Sequence, residues 1–350
     1  MTQELEKWAT WSEIQSQPEI WRAWGGALDV AGLREWIAAQ TFDEVWFCGA
    51  GTSAYIGDII AASVKGTRSV PTTDIVANPS HILAGSNPLV VNFGRSGNST
   101  ESIGTLDVLD VLAPHAPRIN ITCNKDGALA TRTSDAPTQV IVLPEATHDA
   151  GFAMTSSFST MLLTALALFD APCDVPTRMS ALADQLDGLL PQFAAGARPE
   201  RVVYVGAGPL AFAAREAALK VMELSAGQMP ALWDSTLGFR HGPKAFVTDD
   251  TDITVFTSPN APTSSYDADL AAELRAQFPN ANIETIGAGG DIDIAMPFGA
   301  AWAAPLCVAV AQVRGVAWSG ALDLNVDDPF SGQSTLSRVV SGVTLYPVAS

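Results

Sequence analysis

One strand-turn-helix unit occurs twice in this chain of 350 residues. Each copy places a Gly-Ala-Gly turn between an apolar run and a helical segment: EVWFCGAGTSAYIGDIIAASVK begins at Glu44, and RVVYVGAGPLAFAAREAALKVM begins at Arg201. Such self-similarity indicates an internal duplication. Alternation of strands with helices favours parallel sheets, because parallel neighbours need a crossover connection. The chain is therefore expected to be an α/β protein with two similar halves.

Short apolar runs that end in turns predict the strands of both halves. In the first half the predicted strands are 45–48, 70–75, 89–93, 118–122 and 139–143. In the second half they are 201–205, 231–234, 253–257 and 283–286. The apolar segment 300–316 predicts a buried helix.

Two further segments bound these halves. Residues 1–40 carry aromatic and aliphatic side chains near helical spacing, which predicts a helical arm that packs on a core or on a partner subunit. The Pro- and Gly-containing segment 191–199 predicts a boundary, giving domains at 41–190 and 200–350. The tail from Asp323 is turn-rich and then strand-like, and we expect it to cross back over one domain face.

Composition excludes several classes of function. With 47% hydrophobic residues the chain can bury large cores, and its formal charge of −18 disfavours nucleic acid and anionic lipid as partners. The start of the chain lacks the pattern of a signal peptide, and no stretch is expected to resemble a membrane span, so we expect a cytoplasmic protein. The cysteines lie far apart without nearby histidines, which predicts free thiols and no metal.

The segment LVVNFGRSGNSTESI indicates an anion site at the end of a strand. Small hydroxyls at Ser96 and Ser99, flexible Gly97 and the first N–H groups of a following helix can hold a phosphate without a basic cluster. The alternative is simple capping of that helix by Ser99 or Thr100. In the first repeat, Thr52 and Ser53 add two hydroxyls at another helix start.

The second repeat carries charged residues on an otherwise apolar helix. Glu216, Lys220 and Glu223 share one helix face, either as a solvated ion-pair stripe or as a carboxylate base beside an ammonium. Further on, LWDSTLGFRHGPKAFV places His241 in a loop, where it is either a surface residue or a proton-transfer group. Neither repeat completes GxGxxG, since Ala54 and Ala211 occupy its last position. Alanine can serve there, but no ribose-binding acid follows the second strand, so NAD is not expected.

Together these segments resemble the sugar isomerase (SIS) family, which binds phosphosugars on doubly wound parallel sheets. The segments that carry the resemblance are GAGTSAYIGD, FGRSGNSTES, EAALKVMEL and GFRHGPK. The chain is most similar to the family's galactosamine-6-phosphate deaminase/isomerase group, also described as tagatose-6-phosphate ketose/aldose isomerases, through EIQSQPEIW, FAMTSSFSTML and SRVVSGVTLYP. The resemblance implies two SIS domains, no cofactor, and a homodimer or larger homo-oligomer.

The resemblance also implies roles for individual residues. The implied phosphate ligands are Ser53, Ser96 and Ser99, assisted by Arg95 and by backbone around Thr52 and Gly97. Glu223 matches the acid-base carboxylate, Lys220 its basic neighbour, and His241 the ring-opening histidine, which in relatives can come from the partner subunit.

Two departures from the family pattern are visible. The tail offers Arg338 where synthase-type relatives carry a lysine, and His148 stands where asparagine is expected.

The implied function is deamination and isomerisation of an amino-sugar 6-phosphate of galacto or gluco configuration. The alternatives are an aldose-ketose isomerase, a fructosamine-6-phosphate deglycase, or a non-catalytic sugar-phosphate sensor.

Overall fold

The computed structural model describes residues 2–333 and 336–348. Two five-stranded parallel sheets form its framework, with strand orders β2-β1-β3-β4-β5 and β10-β9-β8-β6-β7. The strands of the first sheet are β1 Glu44–Cys48, β2 Thr67–Ser69, β3 Pro88–Gly94, β4 Arg118–Thr122 and β5 Thr138–Val142. Those of the second are β6 Arg201–Gly206, β7 Ala231–Ser235, β8 Thr251–Thr257, β9 Asn282–Gly287 and β10 Ile292–Asp293. The predicted α/β fold with two similar halves is confirmed.

Helices connect and flank the strands, as parallel pairing requires. The α-helices are α1 Thr2–Leu5, α2 Ala9–Ala27, α3 Val30–Ala38, α4 Thr52–Ala61, α5 Thr72–Ala77, α6 Pro79–Leu83, α7 Thr100–Leu112, α8 Ala128–Thr131, α9 Ser156–Phe169, α10 Val175–Leu189, α11 Pro209–Leu224, α12 Thr263–Gln277 and α13 Ala300–Ala321. Short 3₁₀ helices cover Glu145–Thr147, Leu190–Phe193, Gly238–Arg240 and Pro243–Phe246.

The apolar core is shared between the halves. Its largest cluster joins one face of each sheet to α2, α9, α11 and α13, so both sheets bury a face against the same helices. Smaller clusters cover the outer faces of the first and the second sheet. Within the central layer α11 packs on both α4 and α13. The two repeat helices, α4 and α11, are therefore in direct contact.

The N-terminal helices belong to this core. Ile14 and Trp21 on α2 are fully buried, and the indole Nε1 of Trp21 donates to Ser159 Oγ at 3.1 Å. Helix α2 packs on α9 and α10. Of the two predicted docking surfaces for the arm, the core of its own chain is the one observed.

Two predictions from the sequence were wrong, and one short strand was missed. Segment 70–75 is not a strand: β2 ends at Ser69, and helix α5 begins after Pro71, which cannot donate to a ladder. Val70 and Ile75 are buried at the turn and on the helix, which explains the strand-like pattern. The two-residue edge strand β10 was not predicted. The tail forms no strand within its described residues. It lies across α7, where Leu345 contacts Gly104.

Helix α13 confirms the predicted buried helix and corrects another expectation. It is long and apolar enough to cross a membrane by length and composition, yet 89% of its most apolar window is buried inside the protein. Core helices of globular proteins share this composition. The expectation that no segment would resemble a membrane span was therefore wrong. The helix nevertheless packs inside the core of this fold.

Candidate active site

The first Gly-Ala-Gly turn brings two hydroxyls to the carboxyl edge of the first sheet. Gly51 adopts a positive φ of 55°, and a Cβ on Gly49 would come within 2.6 Å of the backbone of Ser53. Only glycine fits both positions without strain. The chain therefore turns directly from β1 into α4, and Thr52 and Ser53 are buried at the first turn of that helix.

The predicted phosphate loop lies beside this turn, between β3 and α7. Gly97 has a φ of +65°, and the loop is fixed from below by Asn124 Nδ2, which donates to the carbonyl of Ser96 at 3.0 Å. Ser99 Oγ is paired with Ser102 Oγ at 2.7 Å and caps no backbone N–H. Among the described residues, the N–H groups of Glu101 and Ser102 meet no acceptor. The capping alternative is not observed, and the loop keeps donors available for an anion.

Helix α11 buries its charged face instead of exposing it. Glu216 and Lys220 have no exposed side-chain surface, and Glu223 at the end of the helix is 23% exposed. Lys220 Nζ lies 3.2 Å from Glu216 Oε1 and 2.5 Å from Glu223 Oε2. The solvated-stripe interpretation is therefore wrong, because α11 packs this face on α4.

Thr52 connects the two repeats at this point. Lys220 Nζ donates to Thr52 Oγ1 at 3.0 Å, and Thr52 Oγ1 donates to Glu216 Oε1 at 3.1 Å. Burial raises the pKa of Glu216 to about 7, with Lys220 opposing that shift. Burial also lowers the pKa of Lys220, but both neighbouring carboxylates outweigh it and leave that pKa raised. The ammonium thus stays charged between two carboxylates.

These elements enclose a cavity of about 220 Å³. Its wall includes Thr52 and Ser53 from the first turn, Ser96 and Ser99 from the loop, and Glu223 from the other half of the chain. Lys220 Nζ donates to Oε2 of Glu223, and no described residue donates a hydrogen bond to the other carboxylate oxygen. The structure therefore brings the predicted hydroxyls and the predicted base together.

Arg95 lines the cavity but uses its guanidinium elsewhere. The side chain is buried, and it donates to the carbonyls of Gly151 at 3.0 Å and Arg338 at 3.3 Å. Burial lowers its pKa from the ordinary arginine value. Arg95 thereby ties the phosphate loop to the 150–153 segment and to the tail, and it can act on a bound anion through its charge.

The tail supplies a wall that the sequence motifs did not indicate. Residues 337–340 line the cavity, and the carbonyl of Val340 accepts a hydrogen bond from the N–H of Thr100 at 3.2 Å. The tail therefore crosses the first half, as predicted, and Arg338 reaches the cavity rim. Glu101, Phe152 and Met154 also line this space and were missed. No local pattern distinguishes these residues from ordinary loop and helix-start residues.

His241 does not join this constellation within one chain. It follows the 3₁₀ turn Gly238–Arg240, is exposed, and does not line the cavity that contains Glu223. Its neighbours Arg240 and Lys244 both pair with Glu273 on α12, which fixes the loop against its own half. The sequence motif predicted a site residue, but one chain does not place it at the site.

The hydroxyl residues Thr155, Ser156 and Ser157 and the imidazole of His148 do not line the cavity that contains Glu223. Asp149 is 1% exposed and accepts hydrogen bonds from the N–H groups of Thr155, Ser156 and Ser157, at 2.8 to 3.1 Å, at the start of α9. These hydroxyl residues therefore serve a helix cap. His148 is half-buried, and burial lowers its pKa, with Arg338 and Arg95 contributing in the same direction. An imidazole in this setting stays neutral near pH 7.

No group of three or more His, Cys, Asp or Glu residues that could hold a metal ion occurs within residues 2–333 and 336–348. All four cysteines are free; Cys48, Cys123 and Cys307 are buried, and Cys173 is half-buried. Burial raises the pKa of Cys123 and of Cys307 to about 12. These thiols pack as small apolar groups.

Comparison with known proteins identifies the family. The SIS domain profile matches residues 43–171, which cover the first sheet and α9. The D-galactosamine-6-phosphate deaminase AgaS of Escherichia coli is 38% identical over 97% of this chain and 96% of its own length. The deaminase of the same name from Shewanella sp. (strain ANA-3) is 34% identical, covering 97% of this chain and 92% of its own.

A solved structure extends the match to the whole fold. The crystal structure of tagatose-6-phosphate ketose/aldose isomerase from Escherichia coli superposes with a TM-score of 0.85 at 34% identity, covering 97% of this chain and 96% of the other. Identity of this degree over nearly the full length of both chains shows common family membership. The chain therefore belongs to the SIS family of sugar-phosphate enzymes, in the group of the AgaS deaminases.

Proposed function

We propose that this protein converts an amino-sugar 6-phosphate into a ketose 6-phosphate and ammonia. One observation carries the proposal: Glu223, from the second half, lines the same cavity as Ser53, Ser96 and Ser99 from the first half. A phosphate anchor and a general base in one enclosed space are what isomerisation of a phosphosugar needs.

The phosphate end of the substrate is held by neutral donors. Ser53, Ser96 and Ser99 line the cavity together with Glu101 and Ser102 at the start of α7, and the N–H groups of these last two residues meet no acceptor in the described part of the chain. A helix N-terminus attracts an anion even in a chain of formal charge −18, because the local dipole acts at short range. Buried Arg95 adds a fixed positive charge behind the loop.

Glu223 performs the proton transfer. In the open-chain 2-amino aldose it removes the proton from C2, which forms the C1–C2 double bond as the aldehyde oxygen takes up a proton. Return of the proton to C1 and release of one proton from the nitrogen, which balances the proton taken up by the aldehyde oxygen, give a 2-imino compound. Water then adds to C2 and ammonia leaves, so one water is consumed for each ketose 6-phosphate formed.

Lys220 and Glu216 position this base. The ammonium of Lys220 is held from behind by Glu216 and Thr52, and it fixes one carboxylate oxygen of Glu223. Lys220 is fully buried and does not line the cavity, so it has no direct path to a bound sugar. It acts through Glu223, as a positioning residue rather than a proton donor to the sugar.

His241 completes the site from a second copy of the chain. Ring opening of the sugar needs a proton shuttle, and the exposed His241 loop is held in place by its own ion pairs while lying outside the cavity of its own chain. A partner subunit that presents this loop makes a homo-oligomer the catalytic unit.

The galacto substrate is favoured by the names of the relatives, which are D-galactosamine-6-phosphate deaminases. Galactosamine 6-phosphate would give tagatose 6-phosphate, and glucosamine 6-phosphate would give fructose 6-phosphate. The tagatose-6-phosphate ketose/aldose isomerase name of the structural relative favours a second candidate, isomerisation without loss of nitrogen. The same cavity and base serve either reaction.

Substitution of the base tests the proposal. We expect Glu223→Gln to lower kcat for ammonia release from galactosamine 6-phosphate at least about 100-fold, the usual contribution of a general base. Ammonia and ketose are measured together, with glucosamine 6-phosphate in parallel. Interconversion of the nitrogen-free tagatose 6-phosphate with its aldose, without ammonia release from either amino sugar, would favour the isomerase candidate.

The matched control is Glu35→Gln, an exposed carboxylate on α3 away from the cavity, which is expected to retain wild-type turnover. Wild-type rates in the Glu223→Gln variant, on a correctly folded protein, would refute the assignment of the base.

A further inference from the structure

The two halves of this protein are related by more than sequence similarity. Outward from the repeat strand, the first sheet runs β1-β3-β4-β5 and the second runs β6-β8-β9-β10, while β2 and β7 occupy the equivalent edge. Gly51 and Gly208 have identical dihedrals, φ 55° and ψ −130°. In both turns a Cβ added to the first glycine would lie 2.6 Å from the backbone of the residue four positions later. The turns are thus conformationally equivalent.

The two repeat helices meet at corresponding positions. Asp58 on α4 pairs with Arg215 on α11 at 2.8 Å, and these residues are 157 positions apart, as are Gly49 and Gly206. Contact between a residue and its own repeat equivalent is expected beside an internal twofold axis. A site built from the first turn and the second helix therefore predicts a second site, built from the second turn and the first helix.

A second cavity lies at that place. It has a volume of about 360 Å³ and is lined by the second turn, by the loop and helix start after β8, by the start of α13, and by Ser63, two residues after the last residue of α4. At the repeat spacing Ser63 corresponds to Lys220, and Gly66 to Glu223. Neither equivalent residue is charged, and Gly66 does not line the second cavity, so this cavity has the equivalent position in the fold but no counterpart of Glu223.

The second cavity carries unused hydrogen-bond donors. Ser258 is 5% exposed, lines the cavity, and has a hydroxyl with no partner among the described residues. The N–H groups of Ala300, Ala301 and Trp302, at the start of the 22-residue helix α13, also have no acceptor in the described part of the chain. A buried hydroxyl without a partner costs free energy unless a ligand satisfies it. These groups point to an anionic ligand.

The remaining wall suits the sugar part of such a ligand. Asp170 accepts a hydrogen bond from Trp302 Nε1 at 2.7 Å and lies 3.9 Å from Arg178, which leaves its other oxygen available for hydroxyls. The Arg178 guanidinium also lies over the rings of Phe298 and Trp302, at 4.7 and 4.6 Å. A bare anion would use the donors but not the carboxylate, whereas a phosphorylated sugar uses both.

We infer that this second cavity binds a phosphorylated sugar without converting it. The inference rests on the internal symmetry and on the unpartnered donors, and it is independent of the reaction at the first cavity. Each chain then holds two sugar phosphates across the paired helices α4 and α11, one at a site with a base and one at a site without.

Calorimetric titration of the full-length protein tests this. The probe is glucitol 6-phosphate, which has neither a carbonyl nor an amine and cannot be turned over. Two equivalents per chain are expected. Ser63→Asp places a negative charge on an exposed position at the rim of the second cavity and should weaken glucitol 6-phosphate binding at one of the two sites at least about tenfold. Ser63→Asn has the same shape without the charge, and its affinity at that site should stay within about twofold of the wild-type value. Ser96→Ala should weaken binding at the other site.

Ser258→Ala provides a second variant. Loss of one hydrogen bond to a charged ligand should weaken binding at the same site as Ser63→Asp by about tenfold. The ligand-free Tm should not fall, because the hydroxyl has no partner to lose among the described residues. A lower ligand-free Tm with unchanged affinity would mean a structural role and would overturn the assignment of Ser258.

Two controls identify the ligand class and separate the two proposals. Inorganic phosphate binding as tightly as glucitol 6-phosphate would overturn the sugar-phosphate assignment in favour of a simple anion site. A single equivalent that is lost in Ser96→Ala and untouched in Ser63→Asp would overturn the second site and leave the proposed reaction standing. A single equivalent with the opposite response would retain the second site and remove the first.

Discussion

Glu216, Lys220 and Glu223 show what residue spacing can and cannot predict. Their positions place them on one helix face in any α-helix, so the shared face was predictable. The burial of that face was not predictable, because it depends on Thr52 and α4. These lie more than 150 positions away in the sequence and pack on α11 in the fold. A charged triplet reads the same in sequence whether solvent or another helix covers it.

Glu13 is a buried carboxylate that the sequence motifs did not indicate. Its Oε1 accepts a hydrogen bond from the Gly151 N–H at 3.2 Å, while its Oε2 is buried without a partner among the described residues. Burial raises its pKa to about 7, and Asp149 contributes in the same direction. Because the folded state holds this proton more tightly than the unfolded chain, the carboxyl costs stability as the pH rises from about 4.5 to about 7.

Glu13→Gln should remove that cost. At pH 8 the variant is expected to be more stable than wild type by about 1–3 kcal/mol, because a neutral amide keeps the acceptor oxygen without a buried charge. At pH 4 both forms are neutral and the difference should nearly vanish. Urea unfolding at the two pH values gives both numbers. An equal difference at pH 4 and pH 8 would show that packing, not ionisation, is responsible.

At the scale of elements, helix starts account for much of the polar structure. Asp149 receives the three N–H groups at the start of α9 and also the hydroxyls of Thr155, Ser156 and Ser157. All of these groups are buried. The same segment, through Gly151, is tied to Arg95 beneath the phosphate loop. The capped segment is therefore bonded to Arg95 and helps to hold the phosphate loop in place.

Asp149→Asn should destabilise the protein by about 2–4 kcal/mol, because an amide nitrogen would face backbone donors and the charged acceptor would be lost. Chemical denaturation measures the loss. The matched control is Asp174→Asn: Asp174 caps the next helix, α10, through Thr177, but it is exposed. The control loss should be clearly smaller, and equal losses at the two caps would contradict the importance assigned to burial.

Element positions followed from sequence wherever the strand was interior. Interior strands are buried on both faces in a doubly wound sheet. β3 and β6 are recognisable as largely apolar runs, whereas β4 and β8 interleave apolar with polar residues and were recognised from their Ile, Val and Phe content. The edge strands β2 and β10 have three and two residues, too few for any periodic signal. The errors at 70–75 and at β10 both arise at sheet edges for this reason.

At the scale of the whole molecule, duplication explains both the architecture and the split site. We propose the division into an arm at 1–40 and domains at 41–190 and 200–350, although the limits at residues 1 and 350 lie outside the described residues. The shared apolar cluster implies that these domains are stable only together. In the proposed reaction the first contributes the phosphate loop and the second contributes the base. The sequence motifs indicated this division of labour, and only the fold places the two parts in contact.

His241 extends the split site from the chain to the assembly. If the histidine of one subunit serves the Glu223 of another, two inactive variants should restore activity when combined. Glu223→Gln and His241→Ala chains, unfolded together and refolded at equal amounts, should recover about a quarter of wild-type activity in a dimer, because half of the dimers are mixed and each has one intact site. Mixing Glu223→Gln with Ser96→Ala is the matched control and should recover nothing, since one chain supplies both of those groups to its own cavity.

Failure of the first mixture, with both parents folded and assembled, would place His241 outside the reaction or within its own chain's site. Recovery would make the oligomer, and not the chain, the smallest unit that completes the chemistry.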